Sequence, residues 1–227
     1  MTTKPLHAVV TGATSGIGAA VTAQLLAGGW RVTGLGRTRP AVMQAGYDHR
    51  AVDLMDRDAT ARALEGLAPF ALVHAAGIMR GATLGELDPV VGESLWRLHV
   101  EAAFQIANAL APRMPDGGRI VLLGSRASTG RAGGSQYAAS KGALPAMARS
   151  WAAELVARRI TVNVVAPAAT DTPMLRDPAR AGTQPKLPPI GRLIDPAEVA
   201  ALITFLLGCH GGAITGQQIM VCGGASL

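Results

Sequence analysis

Short apolar runs alternate with longer stretches of helical spacing along the whole chain. Leu6 to Thr11 is a run of the first kind and stops at Gly12. An unbroken apolar run of this length marks a strand buried on both faces. After it, Ala19, Ala20, Val21, Ala23, Leu25 and Leu26 recur at the spacing of one helix face. The alternation then repeats. Trp30 to Gly36 predicts a second strand, Asp48 to Val52 a third and Phe70 to His74 a fourth; Gly118 to Gly124, Ile160 to Val165 and Gln217 to Val221 predict three more. Helices are expected over 56–67, 88–114, 136–158 and 196–207, the last with Asp195 as N-cap and Pro196 in its first position. A short helix is expected between Arg37 and Asp48, where Pro40 opens the stretch. Residues 173–191, rich in Pro, Arg and Gly, read as a loop or lid. Strand and helix alternating in this way give an α/β fold, a doubly wound parallel sheet of about seven strands flanked by helices. With no internal repeat or linker, residues 1–227 are expected to form one domain.

Composition narrows the function classes. Apolar residues make up 49% of the 227 and charged residues 16%, which fits a compact core and excludes a disordered chain. No secretory signal precedes Leu6, so a cytoplasmic location is expected. The last 29 residues carry no Asp, Glu, Lys or Arg, but the apolar run Val199 to Leu207 is too short to span a bilayer and reads as a buried helix end. Cys209 and Cys222 lack metal-ligand spacing and are expected as free, buried thiols; no metal site is expected. The net charge is +6, yet the arginines are scattered, with pairs only at Arg37/Arg39 and Arg158/Arg159. No basic stripe is interleaved with aromatics, so no nucleic-acid partner is expected, and no membrane partner either.

The candidate chemistry sits at the ends of the strands. Between the first strand and its helix lies Thr11-Gly-Ala-Thr-Ser-Gly-Ile-Gly18. Glycines there let the backbone approach a pyrophosphate, and the helix start offers free N–H groups and a positive dipole end. Gly12, Thr14, Ser15, Gly16, Ile17 and Gly18 are therefore candidate nucleotide-binding residues in a Rossmann-type sheet. At the end of the second strand an NAD(H) site would need a carboxylate for the adenine ribose; this chain has Gly36, then Arg37 and Thr38. A guanidinium fork suits a phosphate, which points to NADP(H), with NAD(H) the alternative. Small residues at Ala75, Ala76 and Gly77 allow close approach to a flat ligand. The fifth strand delivers Ser125 at its carboxyl end, where ligands sit in open α/β sheets. Tyr137 and Lys141 stand four residues apart on one helix face. The chain has only three lysines and two tyrosines, against eighteen arginines, so an ammonium one turn from a phenol is not an incidental choice.

These residues, in this order, resemble the short-chain dehydrogenase/reductase family, and the resemblance covers nearly the whole chain. It rests on the glycine turn at 11–18, Ala75-Ala76-Gly77, Ser125, Tyr137-x-x-x-Lys141, and Pro167 with Thr172. Gly191-Arg192, Pro196, Glu198-Val199, Thr215-Gly216 and Gly223-Gly224 extend it. The resemblance implies hydride transfer between a nicotinamide and a carbonyl or secondary alcohol. Tyr137 would be the acid/base, its phenol favoured toward the phenolate by Lys141. Lys141 would also hold the nicotinamide ribose, and Ser125 the substrate oxygen. Asp53, with Leu54 beside it, would contact adenine; Pro167, Thr170 and Thr172 would hold the nicotinamide. The family also implies a homotetramer or homodimer built on the long helices.

The departures matter as much. The family's fourth catalytic residue, an Asn in the long helix, falls at His99 here, either as a structural replacement or as an imidazole that relays a proton itself. His74 takes the place of another family Asn, and Ala168 that of a Gly. The loop from Ser125 to Tyr137 is about one residue short, which leaves Ser128 and Ser135 as fallback hydroxyls. Met79, Arg80, Gln136, Met174 and Leu175 are expected to line the substrate pocket; Arg176 and Arg180 are expected as solvated lid arginines, with contact to an acidic substrate group as the alternative. An NADP-dependent ketone reductase or alcohol dehydrogenase is the leading expectation. A 3-oxoacyl thioester reductase is the alternative, and a non-catalytic NADP(H)-binding regulator is the alternative of another class.

Overall fold

The computed structural model describes residues 5–40, 43–180 and 186–227. Seven parallel strands form one sheet: β1 (His7–Thr11), β2 (Arg31–Gly36), β3 (Tyr47–Ala51), β4 (Ala71–His74), β5 (Arg119–Leu123), β6 (Thr161–Pro167) and β7 (Gln218–Val221). Their order is β3-β2-β1-β4-β5-β6-β7. The chain reverses its direction of travel at β1, whose two neighbours are β2 and β4. That switch point opens a crevice at the strands' carboxyl ends, where such sheets bind ligands. The helices are α1 (Gly16–Ala27), α2 (Arg57–Ala63), α3 (Pro89–Trp96), α4 (Ala102–Leu110), α5 (Ser135–Leu155) and α6 (Pro196–Leu207).

Successive strand residues point to opposite faces, and in β1, β2, β4, β5 and β6 both faces are buried, whereas the edge strands β3 and β7 are partly exposed. Val9, Leu72, Ile120, Leu122, Val162 and Val164 pack with α4 and α5, through Ile106, Leu110 and Leu144. Their neighbours Val10, Val73, Val121 and Val165 pack with α1 and α6, through Val21, Leu25 and Ile203. This two-sided burial is why the strands read as apolar runs rather than alternating ones. The helix starts are equally local. Asp56 and Asp88 accept from Ala59 and Val90 N–H at the starts of α2 and α3. Asp195 and Glu198 form a capping box at the start of α6, satisfying otherwise orphaned donors.

Several expectations change. No helix is described between β2 and β3; residues 41 and 42 lie outside the described residues, and the rest form bends and turns. The third strand starts one residue earlier than expected, with Tyr47 pairing Val32 of β2, and the Tyr47 ring lies across Gly34, where a Cβ would stand 2.0 Å from the phenol oxygen. Cys209 and Cys222 are unbridged, but Cys209 is exposed and Cys222 half-buried, since both fall in turns past the packed elements. No helix among the described residues is long and apolar enough to cross a membrane.

The long helix expected over 88–114 is not uniform. Between α3 and α4, residues Arg97–Glu101 make a wide turn, in which Ala102 N–H bonds to Arg97 O five residues back. Such widened turns place an extra residue on one helix side and often mark functional sites. Here the turn carries His99.

Candidate active site

A cleft of about 1020 Å³ runs along the carboxyl ends of β1, β4, β5 and β6. Its nucleotide end is backbone. Gly12 takes a positive φ of 64°, and a Cβ there would meet Ala76 N and Cα at 3.0 Å. That backbone-to-backbone contact is why position 12 carries no side chain. Gly16 also has positive φ, and Gly18 lies so close to the Gly12 carbonyl that a Cβ would stand 2.1 Å from its oxygen. The first turn of α1 has no side-chain cap and no acidic residue. Its N–H groups and dipole therefore remain available to an anion, and the residues present fit a dinucleotide phosphate.

Gly12, Ser15, Gly16, Ile17 and Gly18 line this end, with Ala75, Ala76 and Gly77 facing them. Thr14 lies in the same turn but does not line the cleft. Arg37 and Thr38 are exposed past β2, outside the cleft lining, and Arg37 forms no ion pair among the described residues. Asp53 is exposed in the loop after β3, and its carboxylate accepts from Met55 N–H at 3.0 Å. Leu54 is 5% exposed and belongs to the core, so its side chain is turned away from any ligand.

The reaction end is built from side chains. Tyr137 and Lys141, on the first turns of α5, are buried, and Ser125 joins them from the end of β5. Ser125 Oγ accepts from Ala127 N–H at 3.1 Å and lines the cleft beside Tyr137. The short loop has thus not displaced Ser125. Of the fallbacks, Ser128 Oγ accepts from Gln218 at 2.9 Å, and Ser135 is exposed at the start of α5. Lys141 Nζ donates to Leu123 O at 2.8 Å, and burial lowers the ammonium to a pKa of about 7. Burial raises the Tyr137 phenol; the Ser125 hydrogen bond and then the Arg180 and Arg131 charges pull it back. Lys141 is not among the groups that bear on the phenol in this arrangement. Lys141 faces the β5 carbonyl and is only partly charged near neutrality, whereas two arginines bear on the phenol.

Two buried histidines tie this end together. Ile78 N–H can only donate, so His99 Nε2 accepts from it at 3.1 Å, and the ring is neutral with its proton on Nδ1. That proton goes to Ser140 Oγ at 2.9 Å, and the Ser140 hydroxyl donates to Tyr137 O at 2.9 Å. Burial, and then the Lys141 charge, hold His99 well below the usual imidazole value. His99 thus borders the cleft with both nitrogens engaged, edge-on to Tyr137 with ring centroids 5.6 Å apart. The expected proton relay has no vacant nitrogen to work through. His74 has the opposite tautomer. Leu98 O can only accept, so His74 Nε2 carries the proton (3.1 Å), while Nδ1 accepts from the Thr11 hydroxyl (3.1 Å). Thr11 Oγ1 in turn accepts from Ala76 N–H at 3.0 Å. Two consecutive residues of the wide turn, Leu98 and His99, are thereby fixed to β1, β4 and α5. Thr11 and Ser140 were not singled out from sequence; each is a hydroxyl in an apolar stretch, which is the signal that was available.

On the substrate side Met79, Met174 and Leu175 line the cleft as expected, as do Pro167, Thr170 and Thr172 from β6 onward. Arg80 and Gln136 do not. Arg80 is turned to Asp177 (2.9 Å) and Met79 O (2.7 Å), joining the lid to the loop after β4. Gln136 precedes Tyr137 on α5 and so points about 100° away. Its amide donates to Asp88 O at 2.9 Å across Gly92. The lid arginines also differ from expectation. Arg176 is exposed and paired with Asp171, but Arg180 is only 9% exposed and faces the cleft.

A family model described as enoyl-(acyl carrier protein) reductase matches residues 12–226. The chain is 33% identical, over 96% of both chains, to the 3-oxoacyl-[acyl-carrier-protein] reductase of Salmonella typhimurium. The chain belongs to the short-chain dehydrogenase/reductase family. It is an NAD(P)-dependent oxidoreductase of that family. It is also 35% identical, over 96% of both chains, to the 2,3-dihydro-2,3-dihydroxybenzoate dehydrogenase of Escherichia coli. Among solved structures, a blue fluorescent protein from a metagenomic library, in complex with NADPH, superposes with a TM-score of 0.85 at 32% identity, covering 98% of each chain.

Proposed function

We propose that the chain reduces 3-oxoacyl thioesters to 3-hydroxyacyl thioesters with NADPH. The observation that carries this reading is the end-to-end similarity to the Salmonella 3-oxoacyl-[acyl-carrier-protein] reductase. It reverses the order expected from sequence, in which simple ketones and alcohols came first. NADPH is favoured by Arg37 and Thr38 where an NAD site needs a carboxylate, and by the solved NADPH complex of a relative. The nicotinamide supplies the hydride. Ser125 positions the carbonyl oxygen and Tyr137 gives it a proton, so that hydride on carbon and proton on oxygen complete the alcohol. Lys141, turned to the Leu123 carbonyl, is placed to hold the nucleotide ribose. His99 keeps Tyr137 in place through Ser140. Gly12, Gly16 and Gly18, with Pro167, Thr170 and Thr172, are the proposed dinucleotide contacts, and Asp53 contributes to the adenine site through its loop. A homotetramer or homodimer on the outer face of α3–α4 is consistent with Trp96 and Phe104, 45% and 47% exposed.

The second reading is oxidation or reduction of a simple alcohol or ketone, which the similarity to the dihydroxybenzoate dehydrogenase supports. Steady-state NADPH oxidation with an acetoacetyl thioester and with a panel of simple ketones separates the two. The thioester is expected to show the larger kcat/KM by at least about tenfold. A larger value for a simple ketone would replace the first reading with the second.

A further inference from the structure

The sheet edge that leads into Arg37 holds a polar chain that the reaction does not use. Of the two tyrosines, Tyr137 serves the chemistry. The other, Tyr47, is half-buried on β3, and His49, two residues on, is buried. Residues two apart on a strand share a face. Tyr47 packs with the α1 side of the core. Gly34 of β2 is the partner of His49 in the sheet, and a Cβ there would stand 2.0 Å from Tyr47 Oη and 2.9 Å from Ala13 Cβ. The phenol therefore fills the place of a side chain at Gly34, beside Ala13 of the glycine turn. Tyr47 Oη meets His49 Nδ1 at 3.0 Å, and His49 Nε2 meets Gly36 O at 3.1 Å. A carbonyl only accepts, so Nε2 carries the proton; in the neutral ring Nδ1 accepts from the phenol O–H. Gly36 O also accepts from Val52 N–H at 3.1 Å. Both lone pairs of that carbonyl are thus engaged, one by the backbone and one by His49.

This carbonyl is the last of β2. It shares one rigid peptide plane with the amide of Arg37, so holding its direction holds the direction in which the chain leaves the strand. Arg37 is exposed and forms no ion pair among the described residues, so its backbone is the part of it that the fold controls. A loop ordered before the ligand arrives costs the ligand less to bind. We propose that Tyr47 and His49 are positioning residues for the choice of nucleotide. By fixing the Gly36 carbonyl they hold Arg37 ready for the ribose 2′-phosphate that NADPH carries and NADH lacks. The inference rests on the reading of Arg37 as the phosphate-binding residue. A pair that merely steadied the sheet would serve both nucleotides alike. A pair that acts through Arg37 serves only the one with the phosphate.

The test measures NADPH and NADH affinity by fluorescence titration, with thermal unfolding of each variant as the check on folding. Replacing both partners of a hydrogen bond by apolar groups of similar shape leaves no buried group unpaired between them, so Tyr47→Phe/His49→Leu is the main variant. It is expected to weaken NADPH by about 3- to 10-fold, the worth of one hydrogen bond, with NADH within about twofold of the parent. Tyr47→Phe alone, which removes one oxygen and keeps the ring over Gly34, carries the same comparison at about 2- to 3-fold should the double variant not fold. His49→Gln, whose amide keeps one donor and one acceptor, is expected to retain most of the NADPH preference. Added to Arg37→Ala, the Tyr47→Phe/His49→Leu pair is expected to change the NADPH-to-NADH ratio no further, because residues that act through one group are not additive. Equal losses for both nucleotides in the Tyr47 and His49 variants, or a further fall in the ratio on the Arg37→Ala background, overturn the positioning role and leave the Arg37 reading intact. Equal losses for both nucleotides in Arg37→Ala overturn the Arg37 reading, and the inference with it.

Discussion

At the β1–β2 end of the cleft the surfaces that face a ligand are backbone: the positive-φ glycines at 12 and 16, the close pass of Gly18 and the uncapped first turn of α1. At the α5 end they are side chains: Tyr137, Lys141 and Ser125, backed by buried His74 and His99 and faced by Arg131 and Arg180. A backbone surface presents fixed N–H dipoles that need no titration, so it binds phosphates over a wide pH range. A side-chain surface must hold groups in chosen protonation states, and burial is what sets them here: Lys141 brought to about 7, both imidazoles neutral, the phenol raised. One end is therefore tolerant and the other is tuned. Substitutions at the two ends should fail in different ways.

The largest effect is expected at the tuned end. Tyr137→Phe removes one hydroxyl from a buried ring and leaves its packing against His99 intact, so the fold and NADPH affinity should persist. Loss of a positioned general acid costs about 10²–10⁴-fold in rate, and kcat is expected to fall by that amount. A variant within tenfold of the parent would show that another group protonates the substrate. At the tolerant end the cation proposed for the nucleotide phosphate is Arg37, and its removal is expected to cost less. Arg37→Ala should weaken NADPH by about 10- to 100-fold, the value of one or two charge-assisted hydrogen bonds to a phosphate, while NADH affinity stays within about twofold. Equal losses for the two nucleotides, measured by fluorescence titration, would remove Arg37 from the phosphate site.

The same division explains what the sequence made legible. Glycine spacing encodes the nucleotide end because strand, turn and helix start are local, and the positions requiring glycine follow from the turn itself. Tyr137 and Lys141 were legible for a similar reason: four residues on a helix fix a shared face wherever the helix goes. Apolar runs likewise marked the central strands, while the polar edge strand at 47–51 was placed by its position between helical stretches. What failed depended on partners far away in the chain. Gln136 and Arg80 lie beside correct positions, but their directions are set by Asp88 and Asp177. Arg180 read first as a solvated lid residue, with an acidic substrate group as the alternative partner, whereas it is 9% exposed and lines the cleft. The wide turn at 97–101 leaves no mark in the spacing of apolar residues, because it inserts one residue into a helix otherwise continuous with α3 and α4.

The smallest expected effect bears on the buried histidines, and it asks how far the tuning at the α5 end contributes to stability. His74 titrates near pH 3 and His99 well below its usual value, because burial, and then the Lys141 charge, disfavour the imidazolium in both. In the unfolded chain both regain values near 6.5. Below that pH the unfolded state binds more protons than the native state, so stability is complete above about pH 6.5 and is lost as pH falls toward the folded values. His99→Asn should remove one of these protons. Asparagine supplies one donor and one acceptor, as His99 does, but is shorter, so some loss of stability at pH 8 is expected, about 1–2 kcal/mol for imperfectly remade hydrogen bonds. The decisive quantity is the slope: from pH 6 to pH 4, denaturant-derived stability should fall less steeply in the variant than in the parent, by close to one proton per molecule. The same measurement on His74→Asn should give a similar change, since burial disfavours the imidazolium in that ring as well. Parallel slopes in parent and variants would mean that the imidazoles protonate in the folded state. The hydrogen bonds to Ile78 N–H and from Thr11 would then have to break without unfolding the wide turn.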